Sequence, residues 1–127
     1  MIIFKTDAGT LSGVVAHAKH ALVRVPAKLS PGDLILIAQT IQSLRPGQRQ
    51  IRYCMSFVRS YRDAQGESDK IWGHHWPFII EGTDLKELER PFNIKAVQKS
   101  SKNYGQGGPV VYVDPLDQRA IESGGYL

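Results

Sequence analysis

Ile51, Tyr53, Met55 and Phe57 alternate with Arg52, Cys54 and Ser56. Successive side chains of an extended chain point to opposite sides, so this period of two marks a strand with one face in a core. The pattern runs on through Val58 toward Tyr61. Such a strand needs partners, since a lone hairpin is only marginally stable in water. Leu34 to Ala38 is an unbroken apolar run behind the turn Ser30-Pro31-Gly32-Asp33. That run reads as a central strand buried on both faces.

Turn residues divide the rest of the chain into short elements. Ile2 to Lys5 is a first strand, and Thr6-Asp7-Ala8-Gly9-Thr10 is turn chemistry. Ser12 can cap a short helix over Gly13 to Lys19, with Val14, Ala18, Ala21 and Leu22 on one face; Leu22 to Val25 can instead be extended. Pro46-Gly47 is a turn, and Asp63 to Asp69 is a polar loop. Pro77 to Glu81 is a strand, and Asp84-Leu85-Lys86-Glu87 starts a helix that must stop near Arg90, before Pro91. Lys95 to Gly108 is a basic, Gly-rich loop, and Val110 to Val113 is the last strand. Asp114-Pro115 opens a final helix that ends before Gly124-Gly125.

The fold class is therefore α+β and mostly β: about five strands in a small barrel with two or three short helices at its ends. The order is not βαβα-regular, which argues against a doubly wound parallel sheet. With 127 residues and no linker or repeat, residues 1–127 read as one domain. A chain of this size buries roughly two-thirds of its unfolded surface and needs no disulfide. Its one cysteine, Cys54, forms no intramolecular bridge. That usage, with no leader-like start and no apolar stretch of the ~20 residues a membrane span needs, points to a reducing, cytoplasmic setting without membrane partners. The net charge of +4 and a pI near 9.3 favour an anionic partner such as nucleic acid.

Four segments in order resemble the EVE branch of the PUA-like superfamily, which is related to YTH and ASCH domains. They are Pro31-Gly32-Asp33-Leu34-Ile35-Leu36-Ile37, Cys54 to Asp63, Trp76-Pro77-Phe78-Ile79-Ile80 running to Leu88-Glu89-Arg90-Pro91-Phe92-Asn93-Ile94, and Val110 to Ile121. The third is similar to a Trp-led strand with a following helix exit. The chain departs from the family in its first half, where Val14 to Lys28 is short and carries no aromatic residue. The resemblance implies a reader: an aromatic-lined pocket on the barrel accepts a flipped or modified base, and basic loops hold the flanking phosphates.

On that reading the base pocket is formed by Trp72, Trp76, Tyr61, Asp7, Ser12 and Thr6. Trp72 and Trp76 flank Gly73-His74-His75 and can form two walls of a slot, since every base has a π face that stacks on an aromatic. The plainer reading makes Trp76 core and Trp72 a partly buried anchor. Asp7 and Ser12 can meet a base edge, or simply make a turn and cap a helix. Phosphate contacts fall to Lys5, Lys99, Lys102, Asn103, Arg59 and Arg62. Lys99 to Gly105 mixes two cations, hydroxyls, an amide and an aromatic, a composition suited to backbone contacts.

No catalytic residue, cofactor or metal is expected. Cys54 sits mid-strand as a small hydrophobe. His74 and His75 are adjacent, so on a strand they face opposite ways, and His17 and His20 read as exposed helix residues. The partner is DNA or RNA, possibly modified, and the protein a monomer. Two other classes compete: a small ASCH-like enzyme (amidohydrolase or nuclease) acting on a nucleoside or RNA, and a non-catalytic protein-interaction module. The start of such enzymes, similar to G-x-K-x-x-E, is absent. An acid and a cation within hydrogen-bond reach in the pocket favours the enzyme. An open apolar slot with a basic rim favours the reader.

Overall fold

The computed structural model describes residues 1–26, 28–40, 50–93 and 109–127. In chain order they form β1 (Ile2–Asp7), α1 (Ala8–His17), β2 (Lys19–Leu22), β3 (Leu34–Thr40), β4 (Gln50–Arg62), α2 (Glu67–Trp72), β5 (Phe78–Asn93), β6 (Val110–Tyr112) and α3 (Pro115–Ser123). The strands make one six-stranded sheet in the order β2-β5-β4-β3-β1-β6. β1 and β3 are parallel; the other neighbouring pairs are antiparallel. A parallel pair needs a crossover, and α1 with β2 supplies it.

The sheet curls. Thr6 on β1 hydrogen-bonds His20 on β2 at 2.8 Å, although β5, β4 and β3 lie between those strands in the sheet. The expected barrel is thus approached in shape but not closed by pairing among the described residues. Inside the curl, Ile2, Phe4, Ile35, Ile37, Met55, Phe57 and Ile80 pack with Leu22 and with Val14 of α1. On the outer face Ile3, Leu36, Ala38, Cys54, Leu88 and Phe92 are covered by Ile121 of α3. β3 contributes Ile35 and Ile37 to one side and Leu36 and Ala38 to the other, which is why its sequence is apolar without interruption. No helix among the described residues is long and apolar enough to cross a membrane.

Four local expectations are corrected. Ile51 does not share a face with Met55 and Phe57 but joins Cys54 in the outer core. The register shifts between Ile51 and Tyr53, and a bulge residue inverts the facing of everything before it. α1 starts at Ala8, because Asp7, and not Ser12, caps it by accepting the Thr10 N–H at 2.8 Å. It stops at Ala18, whose φ of 53° is left-handed, so Ala21 and Leu22 belong to β2. The polar stretch after Asp63 contains the start of α2, with the Asp63 carboxylate accepting the N–H groups of Glu67 and Ser68.

The fourth correction is the largest. Asp84 to Arg90 forms no helix; β5 runs from Phe78 through Pro91 to Asn93. β4 is 13 residues long and pairs with it along its length, and that ladder outweighs the local capping signal. Asp84, with φ of 54°, marks an irregularity in the strand. Tyr53 pairs with Glu87 while Ile51 pairs with Phe92, so Pro91 falls in the bulged stretch, where its missing N–H breaks no rung.

Gly82 on β5 shows how close the inner packing is. A Cβ there would lie 2.4 Å from Met55 Sδ, 2.8 Å from its Cγ and 3.1 Å from the Ser56 carbonyl oxygen. Met55 is buried in the core and has little room to yield. Gly82→Ala should therefore lower stability by about 1–3 kcal/mol through overpacking, read as a lower urea midpoint with an unchanged slope. A gain from reduced chain entropy, the usual result of Gly→Ala at an unstrained site, would contradict this packing.

Candidate functional site

A pocket of about 120 Å³ opens where the end of β1, the start of α1, β2 and the residues before β5 meet. Its lining includes Lys5, Thr6, Asp7, Thr10, His20 and Trp76, with Leu22, Val23 and Pro109 as apolar wall. Thr6 and His20 are buried at its floor, and Asp7 is exposed at its mouth.

The floor has a defined polarity. His20 Nδ1 lies 3.0 Å from the Ala21 carbonyl oxygen, which can only accept, so the ring proton sits on Nδ1. Burial pushes the His20 pKa down to about 4, so near neutral pH Nε2 is an acceptor. The Thr6 hydroxyl must then donate to it. This leaves only lone pairs on Thr6 Oγ1 for anything else. His17 and His20, read from sequence as a helical pair, thus part company: His20 is a core histidine of β2 beneath the tilted Phe4 ring, 4.7 Å away.

Trp76 is half-buried and is held from behind. Its backbone N–H donates to Ser68 Oγ at 2.9 Å. The fully buried Ser68 hydroxyl donates in turn to Asp63. These bonds and the α2 amides pull Asp63 down to about 2. His74 meets the Trp76 indole edge-on, 5.2 Å between centroids. Ser68→Ala should cost about 1–3 kcal/mol, because it strips a buried carboxylate of one donor and a buried amide of its acceptor. It should also free the Trp76 backbone, read as faster hydrogen exchange there. Unchanged exchange would show that Ser68 does not position Trp76.

The other sequence candidates lie elsewhere. Trp72 ends α2, donates its indole N–H to the Thr10 carbonyl at 2.9 Å and packs against the inner core. A Cβ on Gly13 would come within 2.4 Å of that indole nitrogen, so Gly13 is what admits the ring. Ser12 is exposed on α1 and outside the pocket lining. Lys99, Lys102 and Asn103 fall outside the described residues.

Tyr61, Arg59 and Arg62 line a second pocket of about 300 Å³ with Lys19, Asp63 and Glu67. Lys19 and His20 are neighbours on β2 and point to opposite sides, so the two pockets face opposite ways. In the second, Lys19 is hydrogen-bonded to Glu67 and lies 4.0 Å from Glu81. The Tyr61 hydroxyl donates to Glu67 at 2.5 Å. Arg59 pairs with Glu81 and lies 5.0 Å from the Tyr61 ring centre, and Arg62 lies 5.6 Å from that of Phe78. The Glu67 bond holds the Lys19 pKa above its ordinary value. Lys19 and Tyr61 together hold Glu67 below its own. Burial raises the Tyr61 phenol.

Asp63, Asp69 and His75 bring one ligand atom each within 4.8 Å of one another. Asp63, however, already accepts two backbone N–H groups and the Ser68 hydroxyl. Hydrogen bonding thus explains its position without an ion.

No protein-family model and no curated protein sequence matches the chain. Solved structures do. The crystal structure of ASCH from Zymomonas mobilis superposes with a TM-score of 0.62 at 12% identity, covering 96% of this chain and 93% of that one. A tyrosine-to-phenylalanine mutant of the same protein gives 0.63 at 10%, with 96% of both chains covered. Both are ASCH domain proteins, and ASCH domains belong to the PUA-like superfamily. The chain therefore has an ASCH-type fold.

Proposed function

We propose that this domain binds nucleic acid, taking one unpaired or flipped base into the pocket bounded by Thr6, Asp7, His20 and Trp76. The observation that carries this reading is the convergence of four separate segments on one open, largely apolar slot with an indole in its wall and Lys5 in its lining. An aromatic wall contributes ~1–3 kcal/mol per stacked base. The basic segment from Lys95 to Gly108 leads directly into Pro109, a lining residue, and we assign phosphate contacts to its Lys99, Lys102 and Asn103. The net charge of +4 acts in the same direction. Recognition of a modified base, implied by the EVE-like order of segments, is the finer form of this role. We read the protein as a monomeric, single-domain reader.

Binding to short single- and double-stranded RNA and DNA, with and without modified bases, tests this. Affinity should fall with salt between roughly 50 and 200 mM and drop in Trp76→Ala. Binding undetectable at every salt concentration would sink the reading.

One observation favours an enzyme instead: Lys19, Glu67 and Tyr61 place a cation, a carboxylate and a phenol within hydrogen-bond reach. Acid–base catalysis works best with a pKa near the working pH. Here each partner drives the other further into its charged form, Lys19 upward and Glu67 downward. That is the behaviour of an ion pair tying β2 to α2, and the reader role is preferred. Turnover of an RNA or nucleoside substrate that disappears in Glu67→Gln would reverse the preference.

A further inference from the structure

We infer that the pocket selects its base by donor pattern: it takes an edge with two adjacent N–H donors, as guanine presents, over one flanked by carbonyls, as uracil presents. This rests on the base-binding reading above and adds to it the identity of the base.

The Thr6 hydroxyl hydrogen is committed to His20 Nε2, because the His20 proton is on the nitrogen facing the Ala21 carbonyl. Thr6 therefore offers a ligand lone pairs only. At the mouth stands the Asp7 carboxylate, also acceptor-only when ionised. Its Oδ1 accepts the Thr10 N–H, and Thr10 lines the same pocket. That bond fixes the rotamer of Asp7; Oδ2 takes no hydrogen bond from another described residue and Oδ1 keeps a second lone pair, so both oxygens can still accept. A fixed carboxylate matches two parallel N–H donors in bidentate fashion. Guanine supplies them as N1–H and the N2 amine, with O6 beside them. Uracil has one N–H between two carbonyl oxygens, so bidentate approach sets a carboxylate oxygen against a carbonyl. Adenine and cytosine each offer one amine next to an acceptor and fall between. A pocket of about 120 Å³ admits a single base and no more.

Asp7 can be tested without unfolding α1, because asparagine caps a helix as well as aspartate does. The probe is a short oligouridine carrying one central guanine, hypoxanthine, adenine or uracil, titrated against the full chain by fluorescence anisotropy. Wild type should prefer the guanine strand over all-uridine by about 10- to 100-fold, the discrimination of one bidentate pair. Hypoxanthine, lacking the N2 amine, should lose most of that advantage. Asp7→Asn should bring guanine to within a few-fold of uracil, and a thermal unfolding midpoint within a few degrees of wild type shows that the variant is folded. Equal wild-type affinity for the four strands overturns this inference but leaves the base-binding reading standing, as does a guanine preference that survives in Asp7→Asn. Loss of binding to every strand overturns both.

Discussion

Lowering the pH from about 7.5 to about 4 should cost the fold roughly 3 kcal/mol through His20 alone. The unfolded chain takes up a proton at this histidine near pH 6.5, whereas the folded chain resists it until about pH 4. Between those values the unfolded state binds more protons, so stability falls as pH falls, at ~1.4 kcal/mol per unit. Above the window the contribution is complete. The cause is physical burial: the ring is 4% exposed and has its proton on Nδ1 and the Thr6 hydroxyl on Nε2, so charging it desolvates a cation and reverses a hydrogen bond. Asp63 acts lower down. Its pKa is depressed to about 2, so its contribution is held above its ordinary value near pH 4 and lost as pH falls toward 2. Urea midpoints across this range, for wild type and His20→Gln, separate the two. The variant should show a flatter profile between pH 6.5 and 4 and the same fall below 4. Equal slopes for both proteins above pH 4 would show that His20 titrates freely.

The two tryptophans should respond in opposite ways. Trp72→Ala should destabilise the protein by about 2–3 kcal/mol, since it opens a cavity between α1 and α2 and leaves the Thr10 carbonyl without its indole donor. Measured well below its transition temperature, the variant should still bind oligonucleotide. Trp76→Ala should change stability far less, because the ring is half-buried at a pocket rim and its backbone carries the bond to Ser68. Affinity should fall by ~1–3 kcal/mol, roughly 5- to 150-fold. Calorimetry and anisotropy on the same preparations decide it. A binding defect in Trp72→Ala alone would move the site away from the proposed pocket.

Leu34 to Ala38 was legible as a doubly buried strand, and Asp114-Pro115 as a helix start, because local pattern and global role agree there. Asp84 to Glu87 carried a helix cap just as plainly, yet β4 needed a partner along its whole length and long-range pairing won. The bulge beside Ile51 left no trace in the composition, so the alternation was extended one residue pair too far. At the site, Lys5, Thr6, Asp7 and Trp76 were named from sequence and lie around one pocket. Their common feature is position, at the end of the first strand and just before the long one. Tyr61, Arg59 and Arg62 were grouped with them, but the face on which a strand residue points depends on register. His20 was missed because a helix was extended over β2. The signal for it was Ala18-Lys19, where helix periodicity ends without a cap residue and an apolar run begins.

The central claim is that a base stacks on Trp76. The chain has two tryptophans, Trp72 and Trp76, so Trp72→Phe leaves the proposed wall as its only indole. Titrating that variant with a fluorescently labelled single-stranded oligonucleotide, while recording Trp emission and probe anisotropy together, tests the claim most directly. The account predicts saturable quenching of Trp76 emission, with the same midpoint as the anisotropy change and the same weakening with salt. Binding by anisotropy with Trp76 emission unchanged would contradict it.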